Sequence, residues 1–153
     1  MKKLFLIGLF LMGQSVWSQN ADKKDLRTYI ETFFEAFHLQ DTVKLRSFAH
    51  PDIVLQSISV SEEGVSKLTT DSYSGFLKGI SSIPETTNFE EELLDFEISV
   101  YGKMAHVSTP YSFYLDGEFS HCGVNSFQLM QVEDQWKIIY LVDTRKKTGC
   151  QKN

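Results

Sequence analysis

The stretch from Phe89 to Arg145 constrains the fold most, because it consists of long β-type segments separated by very short turns. Apolar and aromatic residues alternate or cluster within each segment, and Gly or Asp marks each turn. Turns this short join neighbouring strands as antiparallel hairpins. The predicted strands are 89–101, 104–115, 118–132 and 135 or 136–145, with turns at 102–103, 116–117 and 134–135.

Helical segments dominate the chain before this sheet. Ala21 to Gln40 carries apolar residues at three- and four-residue spacing, which predicts an amphipathic helix. A short helix over Thr42–Phe48 follows, with Asp41 as its cap, and a third helix runs from a cap at Asp71 or Ser72 through Ile80. Strands at 53–60 and 65–70 separate the second and third helices. The predicted class is α+β, with three N-terminal helices on a mostly antiparallel sheet.

The N-terminus has the pattern of a secretory signal peptide. A basic start at Lys2 and Lys3 precedes nine apolar residues, and cleavage is predicted after Ser18. The apolar run is far shorter than the roughly 20 residues that span a bilayer. We therefore predict an exported domain of residues 19–153, periplasmic or extracellular, with no stable membrane anchor after cleavage. Loss of two lysines lowers the net charge from −5 to −7, which argues against nucleic acid as a partner.

The register of the last hairpin determines which of its side chains share a face. If Asp134–Gln135 is a two-residue turn, Leu129 lies opposite Tyr140 and Phe127 lies opposite Val142. Asp143 and Arg145 then point away from that face, since neighbouring strand residues alternate.

The preceding hairpin is predicted to turn through residues 116–118 with a Gly bulge. This places Phe113 opposite His121 and Thr109 opposite Asn125. With both registers, the inner face turns from apolar to polar along the strands. Its members are Ala105, Val107, Thr109, Tyr111, Phe113, His121, Asn125, Phe127, Leu129, Trp136, Ile138, Tyr140 and Val142.

The same registers give two predictions for the rest of the sheet. Four apolar residues cluster on the outer face, which suggests a homodimer through that face; they are Met130, Val132, Ile139 and Leu141. Cys122 lies opposite Lys147, three residues before Cys150, so a chain that curls back could join the two cysteines in a disulfide, as an exported chain allows. Two free thiols are the alternative.

Several stretches resemble the nuclear transport factor 2-like superfamily. They are 33–45, His50-Pro51-Asp52-Ile53-Val54, Gly102-Lys103-Met104-Ala105-His106-Val107 and Glu133-Asp134-Gln135-Trp136-Lys137-Ile138, in the superfamily's order and spacing. Within it, the chain looks closest to the lumazine-binding-like, polyketide-cyclase-like branch. The resemblance implies a cone with a pocket between the first helix and the curved sheet. In that branch an Asp often stands where Asn125 stands here, and Asn cannot act as a base.

Two functions of different classes fit this pocket. The first is an exported domain that binds a small apolar or aromatic ligand, or serves as an accessory domain, without chemistry of its own. The second is a cofactor-free lyase or isomerase with His121 as acid and base and Tyr111 or Tyr140 as electrophile. The predicted ligand-binding residues are His38, Thr109, Tyr111, His121, Asn125, Phe127 and Tyr140. No metal or cofactor is predicted, because no ligand spacing or phosphate-binding loop is present, and Glu90-Glu91-Glu92 is interpreted as a solvated strand face.

Overall fold

A computed structural model describes residues 8–61 and 63–150, with side chains from residue 22 onward. Three helices lie on a seven-stranded sheet. Their bounds are α1 Gly8–His38, α2 Thr42–Phe48, β1 Ala49–Val60, β2 Ser66–Asp71, α3 Tyr73–Ser81, β3 Phe89–Leu93, β4 Glu97–Tyr101, β5 Met104–Leu115, β6 Glu118–Val132 and β7 Gln135–Arg145. The predicted α+β class and the three helices are confirmed.

The sheet is curved and unclosed. Its strand order is β2-β1-β7-β6-β5-β3, and β4 also pairs with β5. All neighbours are antiparallel except β1 and β7, which run parallel. Because β1 follows α1 and α2 and joins β7 at the far end of the chain, this pairing ties the N-terminal half of the domain to its C-terminal strand.

The helix caps follow the sequence prediction. Asp41 Oδ1 accepts the Lys44 N–H at 2.8 Å and so begins α2. Ser72 Oγ accepts the Gly75 N–H at 3.0 Å and begins α3. Each side chain satisfies an amide that the first helical turn leaves without a backbone partner.

The core lies between α1 and one face of the sheet. Leu26, Ile30 and Phe33 on α1 are buried against Phe127 and Leu129 of β6. The Phe33 and Phe127 rings meet edge to face with centroids 5.9 Å apart. The Tyr29 hydroxyl lies 2.9 Å from the Phe48 carbonyl and 2.8 Å from that of Trp136, which joins α1 to both α2 and β7.

The predicted strand 89–101 is wrong in one respect, since it is two strands, β3 and β4. Both pair with β5 but in registers that differ by one residue. The break faces Pro110 of β5, which has no N–H to donate across the ladder. Asp95 Oδ1 accepts the Phe96 N–H at 2.7 Å, so a local side chain bonds to a backbone amide at the break between the two strands.

The β5–β6 pairings are confirmed at Phe113 with His121 and at Thr109 with Asn125. The turn itself differs from the prediction. Asp116 and Gly117, both at positive φ, form a two-residue turn that pairs Leu115 with Glu118. The extra residue is Ser120, which the register shift leaves without an opposite residue. The bulge therefore lies within β6 and restores the predicted alignment further along.

The predicted β6–β7 register is wrong. Glu133 and Asp134, both at positive φ, form the turn, so Val132 pairs with Gln135. A second register shift between Gln128 and Leu129 leaves Ile139 as the extra residue.

Beyond this bulge the two faces of β7 are exchanged relative to the prediction. Leu141 lies opposite Phe127 and is 8% exposed, so it belongs to the core rather than to an outer patch. Asp143 lies opposite Asn125 and shares its face. Tyr140 and Val142, predicted to point inward, lie on the outer face instead.

The outer face retains an exposed apolar patch formed by Tyr101, Met104 and Met130. These three residues are aligned across β4, β5 and β6, and all are exposed. Dimerisation through this face stays a prediction.

The N-terminal signal peptide, residues 1–18, also stays a prediction. Residues 1–7 lie outside the described part of the chain, and the backbone of residues 8–18 is helical within α1. Among the described residues, no helix combines the length and apolarity needed to cross a membrane.

The disulfide Cys122–Cys150 is present and joins residues separated by 28 positions. It fastens the chain after β7 to β6, where Cys122 and Lys146 already form a β-bridge. The predicted bond is confirmed, with Lys146 rather than Lys147 opposite Cys122.

Replacing both cysteines by serine should lower the free energy of unfolding by about 3 kcal/mol, because the cross-link restricts the unfolded chain. Urea unfolding of oxidised wild type and of the double variant measures the difference. Adding a reductant should destabilise the wild type and leave the variant unchanged. Equal midpoints for both oxidised proteins would contradict a stabilising role.

Gly123 is the position in β6 that tolerates no side chain. A Cβ there would overlap the Thr144 carbonyl oxygen and lie 2.8 Å from a Tyr111 ring carbon. Gly123→Ala should therefore cost about 3 kcal/mol of stability. Gly79→Ala is the control, since a Cβ there meets nothing within 4 Å and Ala favours the helix. Thermal unfolding compares the two, and an unchanged midpoint for Gly123→Ala would be inconsistent with this packing.

Candidate ligand-binding cavity

A cavity of about 490 Å³ lies between α1, α3 and the inner face of the sheet. It exists because α1 covers only part of the curved sheet. Its walls are largely aromatic, and one end is polar. The aromatic residues are Phe33, Phe34, Phe37, Phe76, Phe89, Tyr111 and Phe113, and the polar residues include Gln56, Asp71, Glu91, His121, Asn125, Asp143 and Arg145.

Glu91 is the central group of the polar end. It pairs with Phe113 across β3 and β5, so its side chain shares the inner face with His121. Asn125 Nδ2 donates a hydrogen bond to Glu91 Oε1 at 2.6 Å. Burial raises the pKa of Glu91 to about 7, because removal from water disfavours the carboxylate. The Asn125 bond and Arg145 oppose this shift, and Asp143 adds to it.

The interpretation of residues 90–92 as a solvated strand face is therefore wrong for Glu91. Alternation along β3 places Glu91 on the same side as Phe89 and Leu93, and both of those pack inward. That pattern, with an acidic residue midway between two apolar ones, was the signal in the sequence.

Asp143 and Arg145 form the second part of the polar end. Arg145 Nε donates to Asp143 Oδ2 at 2.7 Å, which pairs the guanidinium with a carboxylate. The Tyr111 hydroxyl donates to the Thr144 carbonyl at 3.1 Å, with Asp143 Oδ2 3.4 Å away. Burial raises the pKa of Tyr111, and the nearby carboxylates Glu91 and Asp143 raise it further. The sequence prediction missed Asp143 and Arg145 because the bulge at Ile139 reverses their orientation.

His121 lies on the cavity wall, as its predicted orientation required. Its ring stacks on Phe113 with centroids 4.8 Å apart, and its Nδ1 lies 3.1 Å from Ser120 Oγ. Burial lowers the pKa of His121, and the positive charge of Arg145 lowers it further. The imidazole is therefore neutral at pH 7.

The other predicted ligand-binding residues take different positions. Thr109 and Phe127 are fully buried beneath the wall. His38 does not line the cavity but accepts the Glu91 N–H on Nε2 at 2.9 Å, so it holds β3 against α1. The Tyr140 hydroxyl donates to Gln56 Oε1 from the outer face at 2.5 Å. Only Tyr111, His121 and Asn125 of the predicted set line the cavity.

No cluster of three or more His, Cys, Asp or Glu side chains within the described ranges is arranged to hold a metal ion. The polar residues of the cavity offer three carboxylates, a guanidinium, the Asn125 amide, a phenol and an imidazole. These groups can bind a polar ligand atom or exchange a proton with it.

Comparison with known proteins gives the fold but not the function. No family model and no curated protein sequence matches the chain. Among solved structures, a nuclear transport factor 2-like protein from Cytophaga hutchinsonii shares 16% identity over 80% of this chain and 98% of its own, with a TM-score of 0.62. A proposed dehydratase of the same family from Streptomyces avermitilis shares 18% identity over 83% and 97%, with a TM-score of 0.64.

A proposed scytalone dehydratase from Novosphingobium aromaticivorans is also similar, at 13% identity over 82% of this chain and 85% of its own, with a TM-score of 0.63. The chain therefore has the nuclear transport factor 2-like fold, as the sequence predicted. Its assignment to the lumazine-binding-like branch stays a prediction.

The raised pKa of Glu91 has a consequence for stability. The folded chain holds the Glu91 carboxyl proton more tightly than the unfolded chain does. The stabilisation that protonated Glu91 gives the folded chain is therefore complete below about pH 4.5 and is lost as pH rises through about 7. Glu91→Gln cannot titrate. The unfolding free energy of wild type relative to Glu91→Gln should therefore fall by about 3 kcal/mol between pH 4.5 and pH 8.

Urea unfolding at several pH values measures this difference, and contributions from the histidines cancel between the two proteins. Glu90→Gln, which removes an exposed carboxylate from the other face of β3, is the matched control. Parallel stability curves for wild type and Glu91→Gln would contradict the placement of Glu91.

Proposed function

We propose that this chain is an exported domain that binds a small molecule, or serves as an accessory domain, through the cavity between α1, α3 and the curved sheet. The volume of about 490 Å³ suits a small organic ligand. Aromatic walls favour an apolar or aromatic body, and the polar end favours one hydrogen-bonding group. Export is supported by the predicted signal peptide and is consistent with the disulfide.

One observation favours binding over catalysis: the polar groups of the cavity already bond to one another. Asn125 bonds to Glu91, Arg145 to Asp143, and Tyr111 to the Thr144 carbonyl. Such a network holds its members in place and fixes the orientation of a ligand. A catalytic base must instead lie within hydrogen-bond distance of the substrate proton that it removes.

The second candidate is a cofactor-free lyase or isomerase. It is supported by two proton-exchanging groups in one cavity, His121 and Glu91, beside the Tyr111 phenol. A base whose pKa is near the working pH transfers protons most efficiently, and burial raises the pKa of Glu91 to about 7. Tyr140, the alternative electrophile of the sequence prediction, has no place in this version because it lies on the outer face.

His121→Ala separates the two candidates. For a binding domain, the variant should lose no more than about tenfold in affinity for an aromatic cavity ligand, because stacking and one hydrogen bond are removed. Titration followed by amide chemical shifts should perturb Phe113 and Asn125 at the cavity and leave His106 and Gln128 of the outer face unchanged.

For a lyase or isomerase, wild type should exchange a ligand C–H proton with deuterated water, and His121→Ala should lose that exchange by a hundredfold or more. His106→Ala is the control, since His106 contacts Ser126 on the outer face. Shifts confined to the outer face would contradict both candidates.

A further inference from the structure

Glu91 and the exposed Asp71 are acidic groups of the cavity that belong to no ion pair in the described structure, and Glu91 is the more buried of the two. The ion pairs among residues 22–61 and 63–150 are Arg27–Glu31, His50–Asp52 and Arg145–Asp143, and none includes Glu91. Its hydrogen-bond donor is the neutral amide of Asn125. A carboxylate that is largely removed from water is stabilised most by an opposite charge.

The nearby Arg145 favours ionised Glu91 but forms no ion pair with it. Arg145 directs Nε to Asp143 Oδ2 at 2.7 Å, so these two charges largely offset each other. His121 is neutral at pH 7, since burial and Arg145 lower its pKa. Ionised Glu91 therefore adds a negative charge that no described ion pair compensates.

The rest of the cavity is suited to a cation. The walls present the rings of Phe33, Phe34, Phe37, Phe76, Phe89 and Phe113. Aromatic faces attract ammonium groups by their negative potential, and the attraction increases when water is excluded. A net charge of −5 also raises the local concentration of cations around the chain.

We propose that the cavity binds a small organic cation, an amine with an aromatic or other apolar body, whose ammonium group donates a hydrogen bond to the Glu91 carboxylate. This inference rests on the proposed binding function and names its ligand class. The body lies among the phenylalanine rings, and the charge lies beside Asn125.

Binding of the cation is coupled to loss of a proton from Glu91. Burial raises the pKa of this carboxyl to about 7, so at pH 6 most molecules must release the proton before the amine binds. The amine's affinity should therefore rise by about tenfold between pH 6 and pH 8.

Other charged and titratable groups also face Glu91 from the surrounding elements. Burial lowers the pKa of His38 and of His121 and raises the pKa of Tyr111. Among these three residues and Glu91, Glu91 is the one whose proton leaves near pH 7. The groups are His38 on α1, Asp71 on β2, Tyr111 on β5, His121 on β6, and Asp143 and Arg145 on β7.

Three matched probes test the inference on the oxidised domain. They are 2-phenylethylamine, 2-phenylethanol and phenylacetate, which carry a cation, a neutral hydroxyl and an anion on the same ring. Affinities are measured by calorimetry and amide-shift titration at pH 6, 7 and 8. The amine stays protonated over this range, as a lysine side chain does. The expected result is amine binding at least tenfold tighter than alcohol binding at pH 8, rising with pH while the alcohol stays constant.

Glu91→Gln should lose both the preference for the amine over the alcohol and the rise of amine affinity with pH. Glu90→Gln, which removes the same charge from the exposed face of β3, should keep both. The pH series on wild type alone tests the inference should Glu91→Gln not fold.

Three results would each overturn the inference and leave a binding cavity in place. They are amine binding no tighter than alcohol binding, an amine affinity that is flat or falls with pH, and tightest binding of phenylacetate. Failure of all three probes to shift cavity amides would overturn the proposed function together with it.

Discussion

The register of the last two strands is the constraint on which the cavity depends. A single extra residue, Ile139, reverses the orientation of every later side chain in β7. Without it, Asp143 and Arg145 would face outward, and Tyr140 and Val142 would line the inner face. The bulge thus places an ion pair beside Glu91 and Asn125 and gives the cavity its charged end.

Packing decides how much of the inner face becomes cavity. Leu26, Ile30 and Phe33 of α1 are buried on the sheet next to Phe127, which closes that part of the interior. His38 then accepts the Glu91 amide and holds β3 at the end of the helix. Beyond this contact the sheet curves away from α1, and the polar residues face open space rather than a packed core.

Much of the fold could be predicted from the sequence, because helix periodicity, caps and short turns are local signals. Thr42–Phe48, Met104–Leu115 and Glu118–Val132 form elements with the predicted bounds. The candidate site could be predicted only in part, since it depends on which residue of a hairpin bulges. Ser120 restored the predicted alignment of His121 and Asn125, whereas Ile139 exchanged the faces of Tyr140 and Asp143. The two bulges arise from the pairing between strands, and the amino-acid composition of β6 and β7 does not indicate their positions.

The central claim is that Glu91 lies in a ligand cavity, largely removed from water, and not on a solvated face. The most direct test is a pH titration of the Glu91 side-chain carboxyl by ¹³C NMR in the oxidised domain, assigned by its loss in Glu91→Gln. The account predicts a midpoint near pH 7, because burial raises the pKa to about 7. A midpoint near 4.5, the ordinary value, would show a solvated carboxylate and contradict the cavity as described.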